Sequence, residues 1–315
     1  MATLLNDPGC TTYGGNTGTP GCAFFPDQIV GAILIPEAKE FSNSDLDTFV
    51  VTCQTLSISG DATRIYPIFR FDAITDNSED VSIGTLGYGG KKVNKEGKYD
   101  WTFEMVQGGH CHNNQLRKFN NDKSKKVLFV DAKGIVYGVK TSSNGLKGFT
   151  LDFFYAYPFK VNTGEEVSKF MVRFALAKVN ELNEDIGYFD CGVDLEDSLP
   201  GIVDVELYDL GTSGSKTHVV GIRTVCDKVS LFDAYSAAID TGFATIFTAT
   251  KSGVTANPTD CAPDALLKGW ELTFAASGDH VITLGTPAVL SAASVGTPPA
   301  MGYEAQATLT ITVAS

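Results

Sequence analysis

The sequence predicts an all-β protein with minor helix: a β-sandwich or barrel domain followed by a small Ig-like β-sandwich. Three observations carry this. Short β-branched and aromatic runs recur along the chain. Gly, Asn and Asp break them at intervals of roughly ten residues, the spacing of sandwiches and barrels. No capped 3.6-residue apolar period extends to about 12 residues.

Taken in order, Gln28–Pro36 (QIVGAILIP) reads as an apolar strand and Thr48–Leu56 (TFVVTCQTL) as an alternating one. Arg64–Ile74 also alternates, and Pro67 places it at an edge or bulge. Lys98–Val106 sets Tyr99, Trp101, Phe103 and Met105 on one face, a period of two. Asn113–Phe119 reads as a short helix, as do Val179–Asp185 and Ala262–Leu267. Lys126–Val130 and Gly134–Thr141 form a hairpin around Asp131-Ala-Lys-Gly134. Gly148–Tyr157 and Lys169–Lys178 are long strands linked through Asn162-Thr-Gly-Glu165. Phe153, Phe154, Tyr155, Tyr157 and Phe159 give the first of these apolar side chains on both faces, which suits a core strand or a subunit interface. Val203–Leu210 and Thr217–Val225 form a further hairpin.

From Val229 the chain becomes rich in Ala, Thr, Ser and Val and poor in charge. Phe243–Thr250, Trp270–Ala275, His280–Leu284 and Ala305–Val313 read there as thin strands. The predicted organisation is therefore a flexible N-terminal arm over 1–24, an assembly domain over 25–228 and an Ig-like domain over 229–315.

The chain has 315 residues, is 43% hydrophobic and 19% charged, and carries a formal charge of −13. Such a balance suits a folded protein with a sizeable core and argues against a nucleic-acid-binding footprint, which is basic. No apolar run approaches the ~20 residues of a membrane span, and residues 1–20 lack the basic and apolar regions of a secretory leader. The seven cysteines, Cys10, Cys22, Cys53, Cys111, Cys191, Cys226 and Cys261, include no C-x-x-C pair. They read mostly as reduced, half-buried small hydrophobes, with Cys10 and Cys22 placed to pair in an oxidising setting.

The motifs that resemble chemistry fall short. Thr85–Lys92 (TLGYGGKK) lacks the first Gly and the final Ser or Thr of a phosphate loop. His110-Cys-His112 has no second ligand pair for zinc and reads as a turn after the 98–106 strand. Asp190, Asp194, Glu196 and Asp197 lack a calcium-loop spacing and read as a solvated turn. No G-x-S-x-G occurs. No catalytic residue, metal ligand or cofactor is expected, and the chain does not read as an enzyme.

What stands out is the connection from Asp76 to Lys98, polar and glycine-bearing between two strong strands. Loops of that length are usually functional or disordered, and here the expected use is an intersubunit arm. Its candidate residues are Asp76, Asp80, Gly84, Gly87, Tyr88, Gly89, Gly90, Lys91 and Lys92.

A β-sandwich or barrel with a long loop (Arg64–Val106), a short helix (Asn113–Phe119), the hairpin Lys126–Thr141, an acidic balance and a Thr-rich module from Val229 resembles the tail tube proteins of tailed bacteriophages. The resemblance is one of architecture and spans roughly residues 25–228. It implies rings of identical subunits stacked into a hollow tube, with 76–98 reaching the neighbouring ring and 1–20 serving as a second arm. It implies an acidic lumen through which DNA slides unbound, contacts with other virion proteins, no membrane partner, and a virion location after assembly in the host cytoplasm. Other readings are a capsid decoration, head-fibre or tail-tip protein, or a surface carbohydrate-binding or adhesin module that uses Tyr88, Trp101 and Trp270 to stack sugars.

Overall fold

A computed structural model describes residues 27–165, 167–199, 201–293 and 302–315. It is 46% strand and 17% helix, so the all-β class holds. The chain divides into two compact units, one built from residues up to Leu199 and the other from Pro200 onward with Ser57–Ser59. The division falls at Leu199/Pro200 rather than at 228: the hairpin 202–224 pairs with later strands and belongs to the second unit. The predicted arm 1–24, with Cys10 and Cys22, lies outside the described residues.

The first unit runs β1 (Ile29–Pro36), β2 (Glu40–Phe41), α1 (Asn43–Asp47), α2 (Phe49–Ser57), β3 (Tyr66–Phe69), β4 (Ala73–Asp76), β5 (Ser82–Thr85), β6 (Lys91–Lys95), β7 (Asp100–Met105) and α3 (Gly109–Arg117). It continues with β8 (Lys125–Asp131), β9 (Ile135–Lys140), β10 (Leu146–Lys147), β11 (Phe149–Ala156), β12 (Phe170–Leu176), α4 (Val179–Asn183), β13 (Ile186–Asp190) and α5 (Leu195–Ser198). Strand β8 is the hinge of its sheet. On one side β1 follows it from Pro36↔Lys125 to Ile29↔Asp131. The other side is shared, β9 pairing at Phe129 and Val130, β11 at Lys126 and Val127. From β11 the sheet continues through β12 and β7 to β4 at the edge.

The sheet curls into a half-barrel, and a corner at Arg70 stitches its far side. Arg70 sits at φ 69°. Beyond it the Phe71 N–H donates to the Val30 carbonyl and the Asp72 N–H to the Glu104 carbonyl, 3.1 and 2.8 Å. One strand-like stretch thereby passes from β1 to β7, which is why the predicted run Arg64–Ile74 divides into β3 and β4. Pro67 lies in β3, which pairs only with β1, an edge position of the kind that tolerates proline.

Strands β1, β8 and β9 are buried on both faces, which explains their unbroken apolar sequences. Ala32, Leu34, Val127, Phe129 and Tyr137 enter the core inside the curl, where Phe71, Phe103, Phe154 and Phe174 meet them. Ile33, Ile35, Leu128, Val130 and Val136 face outward into a second core under α1 and α2. Segment Thr48–Leu56, expected as a strand, is helix α2. Leu46, Phe49 and Cys53 recur at helical spacing and are buried in that second core. A capping box opens α1: Ser42 Oγ accepts the Asp45 N–H, and Asp45 Oδ2 accepts the Ser42 N–H. Burial pushes the Cys53 thiol up, well above the usual range.

Helix α3 replaces the expected turn at His110-Cys-His112. Two residues apart on a helix, the imidazoles diverge: His110 lies against Phe159 and His112 against Phe170. Among the described residues no cluster of metal-ligating side chains occurs, and no helix is long and apolar enough to cross a membrane. On β11 a bulge between Leu151 and Phe153 resets the alternation. Phe154 enters the core, and Phe153 stacks on Tyr155 outside it.

The second unit contains β14 (Ile202–Gly214), β15 (Thr217–Thr224), α6 (Phe232–Ile246), β16 (Phe247–Lys251), β17 (Val254–Thr255), β18 (Asp260–Asp264), β19 (Gly269–Thr273), β20 (Gly278–Leu284), α7 (Pro287–Ala293), β21 (Gly302–Ala305) and β22 (Leu309–Val313). Sheets β18-β19-β15-β14-β21 and β17-β16-β20-β22 share one core around Trp270 and Phe247. Two expectations change here. Ala262–Leu267 is not a helix but the end of β18 and a turn. Residues 232–246 form a 15-residue helix whose Phe232, Tyr235, Ile239 and Ile246 complete the core.

The thiols divide. Among the described residues Cys53, Cys191 and Cys261 are reduced thiols, whereas Cys111 and Cys226 are disulfide-bonded, a pairing state the sequence did not single out for them. Alkylation of the unfolded chain without reductant will therefore label Cys53, Cys191 and Cys261 and spare Cys111 and Cys226. Peptide mass mapping before and after reduction checks this.

Candidate assembly arm

The connection 76–98 is a β-hairpin rather than a loop. At its root, β4 pairs with β7 from Ala73↔Glu104 to Asp76↔Trp101. The ladder extends outward, the Asn77 N–H donating to the Asp100 carbonyl and the Glu79 N–H to the Lys98 carbonyl. Beyond an irregular step at Asp80, β5 and β6 pair from Ser82↔Lys95 to Thr85↔Lys91, with Asn94 as the extra residue of a bulge. The tip closes on Leu86, whose N–H donates to the Gly90 carbonyl and whose carbonyl accepts from Gly89.

No residue between Asp72 and Glu96 is buried. The hairpin therefore has solvent on both faces and no core of its own, an arrangement that is marginal in isolation. Its expected residues spread along it: Asp76 ends β4, Asp80 marks the irregular step, Gly84 faces Lys92 across the ladder, and Lys91 and Lys92 begin β6. Gly87, Tyr88, Gly89 and Gly90 form the tip, with Gly89 at φ 79° and Tyr88 fully exposed. Gly97 is required at the root, where a Cβ would lie 2.1 Å from the Glu79 carbonyl oxygen.

The sequence reading missed the apolar side chains. Ile83 and Val93 stand opposite each other, share one face and are 59% and 50% exposed. Val81 and Leu86 are exposed beside them. The short alternations V-S-I-G and K-V-N-K held that signal, diluted by the surrounding glycines and lysines.

Charge is distributed unevenly along the hairpin. Ser82–Lys95 holds Lys91, Lys92 and Lys95 and no acid, in a chain of net −13. Lys95 pairs with Glu79 and holds that carboxyl below its usual range. Lys98 at the root pairs with Asp152 at 3.1 Å, which likewise lowers the aspartate. Lys91 and Lys92, both exposed, carry no ion pair among the described residues.

Of the aromatic residues that suited sugar stacking, Trp270 is 0% exposed and Trp101 packs against the core, so only Tyr88 stands free. Comparison with protein-family models and with curated proteins gives no match to this chain.

Proposed function

We propose that this protein is a virion structural component that assembles with copies of itself, as stacked rings of a tail tube through which DNA passes without specific binding. The observation that carries the reading is the hairpin Asp76–Lys98, whose outer part exposes Ile83, Leu86, Tyr88 and Val93 instead of burying them against the described residues of its own unit. Exposed strands and apolar patches of this kind mark sites completed by another chain. Register supports a directional use. The arm leaves the sheet beyond Asp76 and Asp100, while the β11–β12 connection leaves it at the other end, where Phe170 pairs with Met105. Contacts between unlike ends of identical chains close into rings or grow as filaments. The acidic balance of the chain suits a conduit that DNA crosses without adhering.

Purified protein is expected to form rings or tubes in negative-stain images. Its sedimentation coefficient should rise with concentration over the micromolar range. A chain that stays monomeric throughout, and binds glycans, would overturn the reading in favour of a surface-binding module.

A further inference from the structure

We infer that the basic tip of the arm docks onto an acidic end of a second copy of the same chain, the segment Asp190–Asp197 beside Arg70. The inference rests on the self-assembly reading and names the partner surface of the arm.

The two surfaces lie at opposite ends of β7. The arm emerges beyond Asp100, the first residue of that strand. Past its last residue, Met105, the Gln107 side chain accepts a hydrogen bond from Arg70 Nη1 at 2.7 Å, and Arg70 Nε donates to Glu196 Oε1 at 2.5 Å. Arg70 thereby ties α5 to this end of the sheet and neutralises Glu196 alone. Asp190, Asp194 and Asp197 are exposed and carry no ion pair among the described residues. Val193, in their midst, is 45% exposed.

Each surface has what the other lacks. The tip offers two uncompensated ammonium groups beside exposed apolar side chains; the acidic end offers uncompensated carboxylates around an exposed valine. Six residues of β7 at ~3.3 Å each set them apart by on the order of 20 Å, and no hydrogen bond or ion pair joins them within the described chain. A second copy brings them together, and because the two surfaces differ the contact is head-to-tail. Opposite charge across such a contact sets register and speeds encounter.

Charge reversal separates this docking from assembly in general. Lys91→Glu with Lys92→Glu makes one chain; Asp190→Lys with Asp197→Lys makes the other and leaves unchanged Asp194, whose carboxylate accepts the Glu196 N–H at the start of α5. Each alone is expected to raise the critical concentration for assembly at least about tenfold, read by sedimentation velocity and negative stain, with an unchanged thermal transition showing that both fold. Mixed one to one, they restore assembly, since each then presents the charge the other needs. A parent that assembles while the Asp190/Asp197 chain assembles equally well, or a mixture that stays dispersed, overturns the docking site and leaves self-assembly standing. A parent that forms no assembly at any concentration overturns both.

Discussion

A chain in which Asp80–Gly97 is replaced by Asn-Gly will fold as the parent does and will not assemble. The excision joins Glu79 to Lys98, already hydrogen-bonded partners across the ladder, through a two-residue turn of the type that suits antiparallel strands. It removes no buried side chain, since none lies between Asp72 and Glu96. The lost Lys95–Glu79 pair is exposed on both sides and contributes little. Shortening the connection also lowers its closure entropy slightly. The first unit's unfolding midpoint is therefore expected within about 2 °C of the parent's, a shift of less than ~1 kcal/mol. Loss of Ile83, Leu86, Tyr88 and Val93 removes the apolar surface that the proposed assembly would bury, so only monomer should sediment. Assembly that survives the excision would sink the role given to the arm.

The largest loss of stability is expected from Phe174→Ala. Phe174 is fully buried, and its ring meets Phe154, Phe129, Phe103 and Phe71 at centroid distances of 5.0, 5.6, 5.8 and 6.3 Å. These rings come from β11, β8, β7 and the corner after Arg70, so Phe174 packs where the two ends of the curl converge. Deleting such a ring costs about 3–5 kcal/mol, and for a unit of this size that is roughly 10 °C in its midpoint. Calorimetry of the variant against Ile83→Ala checks it. The arm substitution removes an exposed side chain and should fall within about 0.5 kcal/mol of the parent. A Phe174→Ala midpoint that stays with the parent's would mean that the core repacks around the gap.

Much of this architecture was legible because strands announce themselves. Tyr99, Trp101, Phe103 and Met105 alternate without interruption, and β7 forms there with Phe103 and Met105 buried. The Asp131–Gly134 turn and the Asn162–Glu165 link carried their own chemistry, and the strands on either side of each pair as expected. The failures have physical causes. Thr48–Leu56 contains β-branched residues that mimic a strand, while the capping box that starts a helix lies upstream at Ser42. Residues 232–246 hide a helix because Leu231 makes no side-chain cap and the chain passes directly into β16 without a terminating glycine or proline. The boundary at Pro200 was masked because the composition changes only after the 202–224 hairpin. For the arm, length and glycine content were visible in the sequence. That it is a paired hairpin bearing an exposed Ile83–Val93 couple required the register.

Sealing β1, β8 and β9 between two separate cores carries a cost during synthesis. The β1 residues Ile29–Pro36 leave the ribosome about 90 to 100 residues before their partners in β8. At ~5–20 residues per second, that interval lasts some 5 to 20 seconds, during which a continuous apolar ribbon has neither its pairing strand nor either of its covering layers. Nascent chains halted between residues 60 and 120 should therefore be the forms that bind holdase chaperones most strongly, with release once Asp131 has emerged and β8 can pair.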